Sequence, residues 1–120
     1  MVKKNKNNRV YFLVVFFMLF SFCSNPSTPE TKPVWLDAFL KEREAEHSTP
    51  QEIWKYEWNN KTVYFVLSQC CDQFNLLLDE NGNFLCFPDG GFGGTGDGKC
   101  PNFWTEKKNG KLIWKYKSSQ

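Results

Sequence analysis

A chain of 120 residues, 41% hydrophobic and 18% aromatic, has room for one small domain and excludes a multidomain machine. Its net charge of +2 is unevenly placed: four basic and no acidic residues precede Ser24, so the remainder carries eleven basic and thirteen acidic side chains, a net of −2. Nucleic-acid binding needs clustered positive charge, and only short pairs such as Lys107-Lys108 occur, so no nucleic acid is expected as a partner.

Lys3, Lys4, Lys6 and Arg9 precede an apolar run from Val10 to Phe20, which extends to Phe22 across Ser21. The run is shorter than the ~20 residues of a membrane span. It fits the hydrophobic core of a secretory signal, roughly 7–15 residues. Cys23 comes directly after it, and Ser24 to Pro33 holds three prolines, a composition that suits a tether. This is the layout of a bacterial lipoprotein signal. The expectation is a signal segment over 1–23, lipidation at Cys23, a flexible tether over 24–33 and a single domain over 34–120. The domain is then anchored to a membrane of the cell envelope, periplasmic or surface-exposed. Phe22 stands where a lipoprotein signal usually has a small residue; ordinary cleavage near Ser21 to Ser24, or a retained anchor, are the alternatives.

Pro33 to Glu46 reads as a helix. Proline suits a first turn, where its missing N–H leaves nothing unpaired. Trp35, Leu36, Phe39 and Leu40 share one face, and Lys41 to Glu46 is solvated. Thr49-Pro50 stops the helix. Ile53 to Trp58 alternates, with Trp54, Tyr56 and Trp58 on one side and Ile53, Lys55 and Glu57 on the other. After the turn Asn59-Asn60-Lys61, Thr62 to Leu67 is a strongly strand-forming run, expected at the centre of a sheet. Phe74 to Leu78 and Asn83 to Phe87 make a second hairpin around Asp79-Glu80-Asn81-Gly82, where Asn-Gly accepts the positive φ of a tight turn. The glycine-rich segment from Pro88 to Gly98, which holds six of the eight glycines, is expected to form no regular element. Leu112 to Tyr116 is the last strand. Ile53-Trp54-Lys55-Tyr56 recurs as Ile113-Trp114-Lys115-Tyr116; if the two strands are neighbours, their aromatics are expected to form a cross-strand ladder. After the signal segment, five Trp, three Tyr and seven Phe remain. Core is the expected place for most of them, and Trp104, beside the glycine loop, is the first expected to be partly exposed.

With Cys23 lipidated, four cysteines remain in an exported domain: Cys70, Cys71, Cys86 and Cys100. Two disulfides are expected. A bond between adjacent cysteines closes a strained eight-membered ring and is set aside. The hairpin folding Cys86 towards Cys71 favours Cys71–Cys86 with Cys70–Cys100; Cys70–Cys86 with Cys71–Cys100 is the other pairing. No two cysteines show the two-residue gap of zinc knuckles, so no metal site is expected, and a thioredoxin-type redox role, which needs Cys-x-x-Cys, is not expected either; no cofactor is expected.

The remaining candidates have plainer explanations. Asp79, Asn81 and Asn83 mimic the start of a calcium loop, but the glycine and the glutamate that such a loop needs are missing, and a hairpin turn explains all three. The glycine-rich stretch fails the phosphate-loop spacing, because Cys100 succeeds Lys99 where Ser or Thr belongs. Its side chains Phe92, Asp97 and Lys99 are the candidate partner-binding residues, since the intervening glycines offer none. His47 is a lone, solvated histidine. No catalytic constellation is recognised, and the enzymatic alternative is a hydrolase using Asp72, Asp79, Asp89 or Asp97.

Lys61-Thr62-Val63-Tyr64-Phe65-Val66, Cys70-Cys71-Asp72, Leu78-Asp79-x-x-Gly82, Cys86-x-Pro88-Asp89-Gly90-Gly91 and Gly96-Asp97-Gly98-Lys99-Cys100-Pro101 together resemble a small family of bacterial lipoproteins frequent in Bacteroidota, known as a domain of unknown function. The resemblance covers roughly Pro50 to Lys115. It implies a location and a scaffold but no mechanism. A helix ahead of a strand meander also resembles, by layout alone, small inhibitor-like domains of the PepSY type. The expected architecture is α+β: one amino-terminal helix on an antiparallel sheet of four or five strands, with a disulfide-stapled glycine-rich loop. The expected role is a non-enzymatic binding or structural module that meets the membrane through its lipid and an envelope protein or glycan through its surface.

Overall fold

The computed structural model describes residues 31–118; the signal segment, Cys23 and most of the tether lie outside the described residues. Helix α1 (Leu36–Ala45) is succeeded by β1 (Glu52–Trp58), β2 (Lys61–Leu67), β3 (Phe74–Leu78), β4 (Phe84–Gly90), a single helical turn α2 (Phe103–Glu106) and β5 (Lys108–Lys115). The strands form one antiparallel sheet in the order β4-β3-β2-β1-β5, so the domain is α+β as expected. β2 is central because both of its faces are apolar.

The two faces have separate cores. Alternation along β2 sends Tyr64 and Val66 one way and Val63 and Phe65 the other, and all four are buried. The first face gathers Ile53, Tyr64, Val66 and Leu78 beneath α1, whose Leu36 is fully buried and whose Phe39 and Leu40, with Trp35 just ahead of the helix, pack around it. The second gathers Val63, Phe65, Leu77 and Cys86 beneath Cys100 and Phe103 of the segment after β4, rimmed by Trp54, Tyr56 and Trp58. Phe103 meets Tyr56, Trp58 and Phe65 at ring-centroid distances of 5.8, 5.9 and 6.1 Å. A sheet this small thus gets a helix on one face and an aromatic cap on the other.

The helix ends where its carbonyls find late partners. Ser48 N–H donates to Arg43 O at 2.9 Å, with His47 in the left-handed region at φ 55°. The β3–β4 turn is built by Asp79, whose Oδ1 accepts the N–H groups of Asn81 and Asn83 at 2.8 and 2.9 Å. Asp79 is therefore a turn residue, not the first ligand of a calcium loop. Trp35 crosses from the start of α1 to this turn, and its Nε1 donates to Glu80 O at 3.1 Å.

The repeated Ile-Trp-Lys-Tyr strands are neighbours, but they form no aromatic ladder. The antiparallel register sets Ile53 opposite Trp114 and, across a bulge, Trp54 opposite Leu112. Trp114 therefore packs on the α1 face and Trp54 on the other. The turn α2 was not expected from the sequence. One turn is too short to show a helical period, and Pro101 ahead of it reads as a break.

Candidate functional site

The chemistry-bearing residues gather at one end of the β3–β4 hairpin, where the β2–β3 loop meets the glycine-rich segment leaving β4. Gly91 N–H donates to Gln73 O at 3.2 Å and so joins the two loops, and Asn75 Nδ2 of β3 donates to Asp89 Oδ1 of β4 at 2.8 Å beside them.

The glycine-rich loop is closed covalently by Cys86–Cys100, with Cα atoms 6.3 Å apart. This corrects both expected pairings: neither Cys71–Cys86 with Cys70–Cys100 nor Cys70–Cys86 with Cys71–Cys100 forms. The reason is the hairpin register. Phe74 pairs with Gly90 and Leu77 with Cys86, so Gly90, not Cys86, lies beside the Cys70–Cys71 loop. Cys86 points with Leu77 into the capped face, where the returning chain delivers Cys100 just ahead of Phe103. Cys70 and Cys71 are free thiols, both exposed.

Asp97 fastens the loop to β4. Its Oδ2 accepts Phe87 N–H at 3.1 Å and its Oδ1 accepts Lys99 N–H at 3.0 Å, while its own N–H donates to Phe87 O at 3.0 Å. Partial desolvation pushes this carboxyl up, but the Lys99 and Phe87 N–H groups and the Lys99 charge outweigh it and hold the pKa below the usual carboxylate range. Gly96 allows the approach: a Cβ there would sit 2.1 Å from Phe87 O. Asp79 behaves similarly at the other end of the hairpin. Desolvation raises its pKa, and the backbone N–H and side-chain amide of Asn83, with the N–H groups of Asn81 and Gly82, bring it below the ordinary value.

Of the three candidate partner-binding residues, Phe92 is 99% exposed and Lys99 is exposed, whereas the carboxylate of Asp97 is engaged by the loop's own backbone. A row of aromatics flanks the loop. Phe87 stacks on Phe74 at 4.8 Å and tilts against Phe84 at 4.7 Å, and both outer rings are well exposed, at 43% and 46%. Of the four aspartates considered for hydrolysis, Asp79 stands apart, because it sits in the turn at the far end of the hairpin from Asp89. Trp104 is 43% exposed, as expected, and Lys107 Nζ lies 5.3 Å from its ring centroid and 4.2 Å from that of Tyr56. Among the described residues no cluster of three or more His, Cys, Asp or Glu side chains is arranged to hold a metal ion.

Sequence reasoning missed two features here: the proximity of the Cys70 and Cys71 sulfurs, and the aromatic row of Phe74, Phe84 and Phe87. The second was open to inspection, because the hairpin places these phenylalanines on adjoining strands.

Comparison with curated proteins and with solved structures found no match. A family does match, over residues 40–116, a stretch that runs from within α1 through all five strands and includes both cysteine loops. The chain belongs to this family, described as a domain of unknown function (DUF6970).

Proposed function

We propose that the chain is an exported lipoprotein, held at a membrane of the cell envelope through Cys23, and that its domain is a non-enzymatic module binding an envelope protein or glycan. The tether reading rests on the basic start, apolar core and cysteine of the first 23 residues. The Cys86–Cys100 bond supports an oxidising compartment, where such bonds persist. The bacterial lipoprotein resemblance of the motifs agrees with both.

One observation carries the binding reading. Phe92 stands almost fully in solvent on a loop whose backbone is fixed by a disulfide and by Asp97. A preorganised apolar side chain of this kind gains about 1.5–3 kcal/mol when a partner buries it, and loses little entropy in doing so. Two of the four aspartates support binding over hydrolysis. Asp79 and Asp97 are held below the ordinary range by hydrogen bonds from backbone N–H groups, the opposite of a general acid's raised pKa.

The test is a photo-crosslinking residue at position 92 in cells, with position 41 on the solvated face of α1 as control. A discrete adduct from position 92 and none from position 41 supports the reading. Identical adducts from both positions overturn it. For the tether, a fatty-acid analogue should label the wild-type chain and not Cys23→Ser; equal label in both refutes lipidation.

A further inference from the structure

The β2–β3 loop carries two sulfurs that the disulfide-closed cap does not use. Cys70 Sγ lies 3.2 Å from Cys71 Sγ, and both residues are exposed. Adjacent side chains on extended backbone point to opposite sides. Here the chain bends instead, with Gln73 N–H donating to Cys70 O at 3.2 Å, and both thiols end up together. The base of the bend is pinned. Ser68 N–H donates to Asn75 Oδ1 and Ser68 Oγ donates to Phe74 O, each at 2.8 Å. The pair is therefore held in place on a solvated loop.

Three points define its chemistry. The two thiols share a hydrogen bond that either can donate; this bond, with a backbone N–H and against a smaller desolvation effect, holds the Cys71 thiol below its usual range. More of it is thiolate at neutral pH, and the thiolate is the attacking species. Cys86 and Cys100 are bonded to each other, and Cys86 is fully buried, so neither competes. A bond between adjacent cysteines closes a strained ring, and strained, exposed disulfides are readily reduced rather than permanent.

We propose that Cys70 and Cys71 form a dithiol–disulfide couple that exchanges with accessible disulfides. In the oxidising direction the Cys71 thiolate attacks one sulfur of the partner disulfide. A mixed disulfide forms, and the second partner sulfur leaves as thiolate and takes up a proton. Cys70, having lost its proton to solvent, attacks the Cys71 sulfur and displaces the first partner sulfur as a second thiol. Two electrons pass from the pair to the partner disulfide, which becomes two thiols. The reverse sequence oxidises a partner dithiol.

The test uses the full chain in detergent with Cys23→Ser, so that Cys23 contributes no thiol, reduced mildly enough to leave Cys86–Cys100 intact. It is titrated with glutathione disulfide and tracked by intact mass and disulfide mapping. The chain should lose two hydrogens, gain a Cys70–Cys71 bond and keep no glutathione. Cys70→Ser should lose ring closure completely and retain a single glutathione on Cys71. The reduced chain should also bind phenylarsine oxide, which bridges neighbouring thiols, one per chain, and lose all exchange; this arm needs no cysteine variant of the pair. Glutathione retained on both cysteines, two thiols that persist in excess glutathione disulfide, bonds from Cys70 or Cys71 to Cys86 or Cys100, or failure to bind the arsenical each overturns the proposal.

Discussion

Replacing both Cys86 and Cys100 with Ala opens the covalent loop that closes the cap over one face of the sheet. The cysteines are 14 residues apart in sequence. A loop of this size withholds enough entropy from the unfolded chain to be worth ~3 kcal/mol. Cys86 is fully buried and Cys100 is 7% exposed, so removing their sulfurs leaves a void beside Val63, Leu77 and Phe103 that costs ~1 kcal/mol more. A domain of this size has ~5–15 kcal/mol in all, so the variant should still fold, with a much smaller margin. Each kcal/mol moves the melting temperature of such a domain by ~4–8 °C, so a fall of at least ~16 °C is expected. Urea unfolding monitored by tryptophan fluorescence measures the loss directly, since all five Trp residues lie in the domain. A loss below ~1 kcal/mol would refute the reasoning. The cap would then be held by Phe103 and by the hydrogen bonds of Asp97, with the bond merely recording their proximity.

The same geometry gives three further expected outcomes. Gly82→Ala should cost more than ~1 kcal/mol in denaturant unfolding, because Gly82 has φ 83° and a Cβ there would lie 2.7 Å from the Trp35 ring. Phe103→Ala should cost ~3–5 kcal/mol, since it removes the fully buried ring at the centre of the cap; a melting curve close to wild type would show that the cap does not seal that face. Asp79 and Asp97 have folded pKa values below the ordinary 3.8, so their contribution is complete above the unfolded value and is lost as pH falls through the folded ones. The melting temperature should therefore drop as the pH is taken below about 4, and Asp97→Asn should flatten part of that drop; an unchanged pH profile in the variant would contradict the role given to its carboxylate.

The strands were legible because their alternation is strong. Ile53 to Trp58 divides its side chains between the two cores as the pattern requires, and the unbroken apolar run of β2 marks a strand covered on both sides. The Asn81-Gly82 signal located the second hairpin for the same local reason: the turn demands a positive φ, and Gly82 supplies it. Features that depend on long-range register were harder to read. The ladder expected from the repeated Ile-Trp-Lys-Tyr failed because a bulge in the β1–β5 pairing sets each tryptophan against an aliphatic residue. The single turn α2 owes its existence to Phe103 filling the cap, a tertiary cause without local periodicity. The exposure of Phe92 was legible in part, since glycines on both sides leave it nothing nearby to pack against.

The division of the four cysteines comes from one fact of register. The hairpin turns at 79–83 and pairs Leu78 with Phe84, and a register shift at the next pair sets Cys86 rather than Leu85 opposite Leu77, well short of the β2–β3 loop. Cys86 then faces the capped side of the sheet, and the chain that returns over that side brings Cys100 to it. Once that bond is made, each of Cys70 and Cys71 has only the other as an intramolecular partner among the described residues. The bond set aside on grounds of ring strain is thus the one the topology leaves open. The same strain that makes it a poor staple makes it easily exchanged. Stability is assigned to the buried pair and reactivity to the exposed one, and the two meet through the hydrogen bonds that join Gln73 to Gly91 and Asn75 to Asp89.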